Sequence, residues 1–148
     1  MKITAVKTSM LRVPNNPPVS TYYRENRYVV ARIQTDEGLE GLGYTMLVGG
    51  AGADAVRSYM ETSLVPQLIG ENPLHVGRLW QKMYDTDRGI RKKGIPVYAI
   101  SALDIGLWDL LAKSMGRPVW QLLGACAEKI AVYGSGGFLS YSVDQIVK

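Results

Sequence analysis

The chain has 148 residues, of which 47% are hydrophobic and 20% charged, with 17 basic against 13 acidic side chains. This composition excludes a disordered or low-complexity protein, and the length corresponds to one domain with at most a remnant of a second. Because the net charge is only +4 and no apolar run reaches the ~18 residues of a membrane span, we expect a cytoplasmic protein that binds neither nucleic acid nor membrane.

Three predicted strands open the chain. Residues 2–13 alternate loosely between apolar and polar side chains, with the period of two that a half-buried strand shows. Prolines in segment 14–18 prevent regular structure and begin a loop that runs to about Asn26. Residues 28–35 and 39–48 form a predicted hairpin that completes a small antiparallel sheet. Gly41 and Gly43 in the third strand suggest a bulge or the close approach of another backbone.

Helices are predicted after the glycine-rich segment 49–52, where the apolar period lengthens. The first is expected to end near Pro66, and the second to begin with Asn72 as its N-cap and Pro73 in its first helical position. The third, at about 96–115, is apolar almost all round, which is typical of a helix buried between layers. A short fourth helix is predicted after Pro118.

A fresh start is predicted after Gly124. Residues 129–133 have the pattern of a short strand, and Ser142 with Gln145 has the spacing of a capping box at the start of a helix. A strand and a helix without a partner strand cannot bury their own faces, so we expect the sequence to stop inside a second domain. The intervening glycines, 134–137, fit a tight turn better than a dinucleotide fingerprint, because Leu139 stands where the third glycine belongs.

Few residues have the pattern of a metal or redox site. His75 and Cys126 are the only histidine and the only cysteine, which excludes a His-rich or multi-cysteine metal site and an internal disulfide. We expect His75 to be an ordinary surface residue and Cys126 to be inert, in agreement with a reducing compartment. The basic cluster at 88–93 is expected to be a solvated loop, with an anion or subunit contact as the alternative.

Two carboxylates lie in the apolar third helix. Asp104 and Asp109 are five residues apart, so they point about 140° apart and do not chelate one ion together. Lys113 is four residues beyond Asp109 and is its expected partner, which favours a structural role over a catalytic acid with a raised pKa. The long loop before Asn26, with its aromatics and arginine, is more suggestive of binding.

The segment from Ser101 to Gly124 contains the motif SALDIGLWDLLAK followed by GRPVWQLLG, and it resembles the family of mandelate racemase and muconate-lactonizing enzyme within the enolase superfamily. Segments 38–44 (GLEGLGY) and 69–73 (IGENP) resemble that family too. The resemblance implies an α+β fold in which residues 1–124 form an enolase N-terminal-like capping domain, a three-stranded antiparallel sheet followed by a helical bundle. Residues 125–148 would be the first strand and the start of the first helix of a TIM-like (β/α) barrel, which needs roughly 250 residues.

The resemblance also implies a chemistry. In the family, three carboxylates at the ends of barrel strands hold magnesium, and a lysine or a histidine removes the proton alpha to the substrate carboxylate. A cation on the developing enediolate makes this weak carbon acid reactive. Lys92 and Lys93 are adjacent rather than spaced by one residue and lie in the capping part. We therefore assign no catalytic base and no metal ligand to this chain and expect Mg²⁺ only in the complete enzyme.

What the resemblance does assign is a lid. Two capping-domain loops of the family close over the barrel mouth and set specificity, and they correspond here to about 14–26 and 46–52. A further position matches the C-terminal end of the first barrel strand, the face on which barrel active sites lie. The substrate-binding candidates from these three places are Tyr22, Tyr23, Arg24, Met46, Val48 and Ser135.

A polar first loop with a guanidinium suits a polyhydroxylated acid. The favoured hypothesis is therefore the N-terminal part of a magnesium-dependent acid-sugar dehydratase, with a racemase or a cycloisomerase as the enzymatic alternatives. A free, non-catalytic capping or assembly module is the alternative of another class. The chain alone is predicted to be inactive, and the family implies a homo-oligomer for the complete enzyme.

Overall fold

The computed structural model describes residues 1–16, 19–20, 22–86, 89, 93–134 and 137–147. Three strands form one antiparallel sheet in the order β1-β2-β3: β1 is Ile3–Pro14, β2 is Glu25–Thr35 and β3 is Glu40–Val48. The predicted sheet and the turn at 36–38 are confirmed, and Gly38, at φ 82°, supplies the left-handed residue of that turn. β2 begins three residues earlier than predicted because Glu25 pairs with Pro14.

The two faces of the sheet differ in what covers them. On the inner face, Val29, Ala31 and Ile33 of β2 are fully buried against the helices. Part of the outer face is also apolar, which is unusual for an antiparallel sheet with a free face. Its central residues surround one shallow groove, and they are Leu11, Val13, Tyr28, Val30, Arg32, Leu42 and Tyr44.

The first helix is longer than predicted and widens in the middle. It comprises α1, Ala53–Tyr59, a π-helical stretch, Met60–Leu64, and α2, Val65–Leu68. Pro66 has no N–H, and in a regular helix its ring would collide with the carbonyl of the preceding turn. The wider turn places the N–H of Val65 on the carbonyl of Met60, so the chain remains helical as far as Leu68.

The second predicted helix starts later than its sequence signals indicate. α3 is Val76–Asp85, and His75 occupies its N-cap. Asn72 closes a turn instead of capping the helix, because its Oδ1 accepts from the N–H of Leu74 at 3.1 Å and its carbonyl accepts from His75 at 3.2 Å. The prediction that Pro73 stands in the first helical position is therefore wrong.

The third predicted helix is the centre of the core. α4 is Ile95–Ser114, and its buried side chains include Leu103, Leu107 and Leu110. Among the described residues it is the one helix long and apolar enough to cross a membrane, but half of that stretch is buried inside the protein, and the core helix of a soluble protein passes the same test. α5 is Val119–Leu122, as predicted after Pro118.

Glycines allow α4 to lie directly on β3. A Cβ on Gly43 would lie 2.5 Å from the backbone nitrogen of Gly106 and closer still to the carbonyl oxygen of Ala102. A Cβ on Gly41 would meet Leu110 Cγ at 2.6 Å. The predicted close approach of a backbone is confirmed, whereas the alternative of a bulge is wrong, because β2 and β3 pair without a register shift.

The last part of the chain departs from prediction in one element. Residues 129–133 are not a strand: they have no regular secondary structure, and Ile130 and Val132 are 78% and 85% exposed. A strand is defined by pairing, and nothing among the described residues pairs with this segment. α6, Val143–Ile146, begins as predicted, with the N–H of Ser142 donating to Gln145 Oε1 at 2.9 Å.

Candidate functional site

Two loops meet at one end of the sheet. The first loop, residues 15–24, joins β1 to β2, and the second loop, residues 49–52, joins β3 to α1. Pro14 pairs with Glu25, and Asn26 pairs with Val48, so all three strands have a terminus at this end. Antiparallel pairing therefore brings together two segments that the sequence separates by 24 residues or more.

The first loop is organised by its own polar groups. Ser20 Oγ accepts from the N–H groups of Tyr22 and Tyr23 at 3.2 and 3.1 Å. Asn15 donates from Nδ2 to the carbonyl of Tyr23 at 3.1 Å and from its backbone to the carbonyl of Arg24 at 2.8 Å. Tyr22 is 88% and Tyr23 45% exposed, and Arg24 is exposed with no ion-pair partner among the described residues.

The candidates of the second segment lie in the strand and not in the loop. Met46 and Val48 belong to β3, where they face Tyr28 and Asn26 of β2 and are 41% and 56% exposed. The segment 46–52 thus divides into a strand end and the second loop. Ser135 lies outside the described residues, so the structure brings together the other five candidates only.

Arg27 is a residue at this end of the sheet that the sequence did not single out. Its Nε is 2.9 Å from Glu25 Oε1, and its Nη1 is 3.6 Å from Asp54 Oδ2 in the first turn of α1. Its side chain lies over Gly50, while the ring of Tyr23 lies over Gly49. The cluster of glycines at 49–52 was the available signal, since side chains that crowd a turn favour glycine there.

The two carboxylates of α4 have different environments. Asp109 Oδ2 accepts from Lys113 Nζ at 2.7 Å and from the N–H of Leu42 at 2.8 Å, so the predicted ion pair is confirmed and fastens α4 to β3. Asp104 is half-buried beside Trp80 and Tyr84, and this desolvation raises the pKa of its carboxyl. Among the described residues no hydrogen bond or ion pair reaches Asp104.

The remaining candidates do not form a centre. His75 is exposed at the start of α3, Cys126 is an exposed free thiol, and Lys93 is exposed, while the rest of the basic cluster except Gly89 lies outside the described residues. Within the described ranges no three His, Cys, Asp or Glu side chains are grouped closely enough to hold a metal ion. The described residues therefore do not fit a Mg²⁺ site.

Comparisons with known proteins give one consistent picture. The N-terminal domain model of the mandelate racemase / muconate lactonizing enzyme family matches residues 2–124. A D-galactonate dehydratase family member from Marinomonas sp. is 42% identical over 72% of this chain and 26% of its own length. The L-talarate/galactarate dehydratase of Salmonella typhimurium is 33% identical over 99% of this chain and 39% of its own length. A D-galactarolactone cycloisomerase from Agrobacterium fabrum is 30% identical over 99% of this chain and 38% of its own length.

Solved structures agree with the sequence relatives. The crystal structure of the Salmonella typhimurium L-talarate/galactarate dehydratase, liganded with Mg and L-lyxarohydroxamate, superposes with a TM-score of 0.89 at 31% identity, over 99% of this chain and 39% of that one. The chain thus spans between about a quarter and two fifths of the length of these relatives.

Proposed function

The chain belongs to the mandelate racemase and muconate lactonizing enzyme family of the enolase superfamily, and on this premise we propose that it is the capping part of an acid-sugar dehydratase. Such an enzyme removes the proton alpha to the substrate carboxylate and then expels a beta hydroxyl. The observation that carries the proposal is the meeting of the two loops at one end of the sheet, where the first loop exposes the polar side chains of Tyr22 and Arg24. The dehydratases among the relatives support the reaction class.

In this proposal the two loops close over the substrate. Arg24 is exposed and carries a planar guanidinium, which pairs with a carboxylate through two parallel hydrogen bonds. The phenol groups of Tyr22 and Tyr23 donate to and accept from substrate hydroxyls. Met46 and Val48 supply an apolar border on the strand end, and Ser135 contributes from the first barrel strand.

The catalytic apparatus is proposed to lie outside this chain. Residues 1–124 form the capping domain, and residues 125–148 begin the barrel that carries the base and the magnesium ligands. The exposed segment 129–133 supports this division, since it has the composition of a strand and pairs with no other part of the chain that the structure describes. The chain by itself is expected to exchange no alpha proton of any carboxylic acid. Incorporation of deuterium from deuterated water into such an acid would contradict this.

The proposed complete enzyme is a cytoplasmic homo-oligomer that binds neither nucleic acid nor membrane. The apolar outer face of the sheet is compatible with a covered surface, because contiguous exposed apolar patches of this kind are rare on monomers. Light scattering of the complete enzyme tests the oligomer, and a monomer at micromolar concentration contradicts it.

The experiment that tests the reaction uses the complete enzyme with Mg²⁺ against a panel of aldarates and aldonates. We expect dehydration of at least one, and we expect Arg24→Ala to lower kcat/KM by about tenfold to a hundredfold, the effect of losing a charged hydrogen bond. Arg117→Ala, in the exposed turn after α4, is the matched control and should leave activity unchanged. Racemisation of a hydrophobic acid or lactone cycloisomerisation, with no dehydration, would instead establish one of the alternative activities.

A further inference from the structure

We propose that Tyr23 and Arg27 are positioning residues that hold the first and second loops together as one unit. This deepens the proposed function and rests on it in one respect, namely that the two loops face the substrate. The physical coupling of the loops follows from the contacts alone. Neither residue needs to touch the substrate to act, because each fixes the place of the second loop relative to the first.

The second loop has glycines where the two positioning side chains cross it. Gly49 and Gly50 have φ of 68° and 75°. A Cβ on Gly49 would lie 2.6 Å from Tyr23 Cδ1, and one on Gly50 would lie 2.6 Å from Arg27 Cδ and Nε. Gly38 has φ 82° and nothing within 4 Å of such a Cβ, so a left-handed turn in this chain does not by itself bring side chains so close. The crowding at Gly49 and Gly50 is a contact between loops.

Arg27 crosses the second loop at Gly50 and reaches Asp54 just after it. Its Nε is 2.9 Å from Glu25 Oε1 in the same strand, which orients the guanidinium. Its Nη1 is 3.6 Å from Asp54 Oδ2, just beyond the loop. The side chain is only 24% exposed and its stem covers Gly50, so packing accompanies the ion pairs. Exposed ion pairs contribute little to stability, but the pair of Arg27 with Asp54 fixes where the second loop enters α1.

Tyr23 performs the same task from the other side. Its carbonyl accepts from Asn15 Nδ2 at 3.1 Å and from the N–H of Val19 at 3.2 Å, and its own N–H donates to Ser20 Oγ at 3.1 Å. The backbone that carries the ring is therefore fixed within the first loop. Because the ring lies against Gly49, a shift of the first loop displaces the second.

The two arginines at this end of the sheet then have separate tasks. Arg27 is neutralised by Glu25 and Asp54 and is largely covered, so it is not free to pair with an anion. Arg24 is exposed and has no such partner among the described residues. The unit thus presents Arg24, Tyr22 and the phenol group of Tyr23 on a support that Arg27 and the ring of Tyr23 hold in place.

Residue-resolved amide hydrogen exchange on the 148-residue chain tests the coupling. The reporters are the N–H of Gly50, which donates to the carbonyl of Leu47 at 3.1 Å, and the N–H of Ala53, which donates to the carbonyl of Gly50 at 3.3 Å. We expect Tyr23→Leu, a change in the first loop, to speed exchange at both reporters by about tenfold. Tyr23→Phe keeps the ring and should restore the wild-type rates.

Matched controls separate the coupling from a general loss of stability. Tyr22→Leu changes the neighbouring, exposed aromatic and should leave the reporters unchanged. Arg27→Met should speed their exchange, whereas Arg32→Met, on the exposed outer face of the same strand, should not. The inference is overturned if Tyr23→Leu affects only first-loop amides, or if Tyr22→Leu has the same effect. No substrate is present, so this outcome and that of the dehydration assay are independent.

Discussion

Gly43→Ala adds one methyl group where β3 touches α4. That methyl would lie 2.5 Å from the backbone nitrogen of Gly106, whereas ordinary van der Waals contact begins at 3.4 Å, so the helix must retreat by at least about 0.9 Å. The obstacle is helix backbone, including the carbonyl of Ala102, and no rotamer change relieves it. α4 also contributes buried leucines to the core, so its retreat loosens contacts along the whole inner face of the sheet.

The expected cost follows from this geometry. Adding a methyl group to a packed core typically costs about 1–3 kcal/mol when side chains can adjust. Here the backbone of α4 has to move, so we expect about 3 kcal/mol or more, a lowering of Tm by roughly 6–12 °C for a chain of this size. This is a large part of the ~5–15 kcal/mol by which domains are stable.

Urea unfolding followed by circular dichroism measures the effect. The matched control is Gly77→Ala, at an exposed position of α3, where a Cβ meets nothing within 4 Å. Because alanine is the better helix former, this variant should be slightly more stable than the wild type, by about 0.5 kcal/mol. If Gly43→Ala loses less than about 1 kcal/mol, the contact between the backbones of β3 and α4 does not limit their packing, and the reasoning is refuted.

Three further results are expected. Asp109→Ala removes the acceptor of the Leu42 N–H and should cost about 1.5–3 kcal/mol by urea unfolding; an unchanged midpoint would contradict its fastening role. Burial raises the pKa of Asp104 above its value in the unfolded chain, so the charged carboxylate destabilises the fold once the pH exceeds that unfolded-chain pKa. Asp104→Asn should therefore raise Tm at pH 7 but not at pH 3. An equal gain in Tm at both pH values would contradict this. The hydrogen bond from Thr8 lowers the pKa of Glu61, so it stabilises the fold at pH values above the pKa of Glu61 in the unfolded chain. Thr8→Val should lose stability at pH 7 and become as stable as the wild type in acid. Stability profiles that run parallel with pH would contradict this role of Thr8.

The candidate site was predicted in part. Family resemblance pointed to two loops, and the structure shows that they meet, but the resemblance placed Met46 and Val48 in a loop although they end a strand. Arg27 was missed because two of its partners, Gly50 and Asp54, are more than twenty residues away. An arginine at the start of a strand carries no local sign that it crosses another loop.

Elements with local signals can be read from the order of the amino acids. The alternation in β1, β2 and β3 and the all-round apolar pattern of α4 predicted the sheet and its buried helix, because periodicity decides which face is apolar before any partner is chosen. Features that depend on distant partners become visible only in the folded chain. Gly43 meets Ala102 and Gly106 about sixty residues later, and residues 129–133 find no pairing partner among the described residues despite their strand-like composition. Backbone contacts and strand pairing join segments far apart in the chain, and local patterns do not say which segments those are.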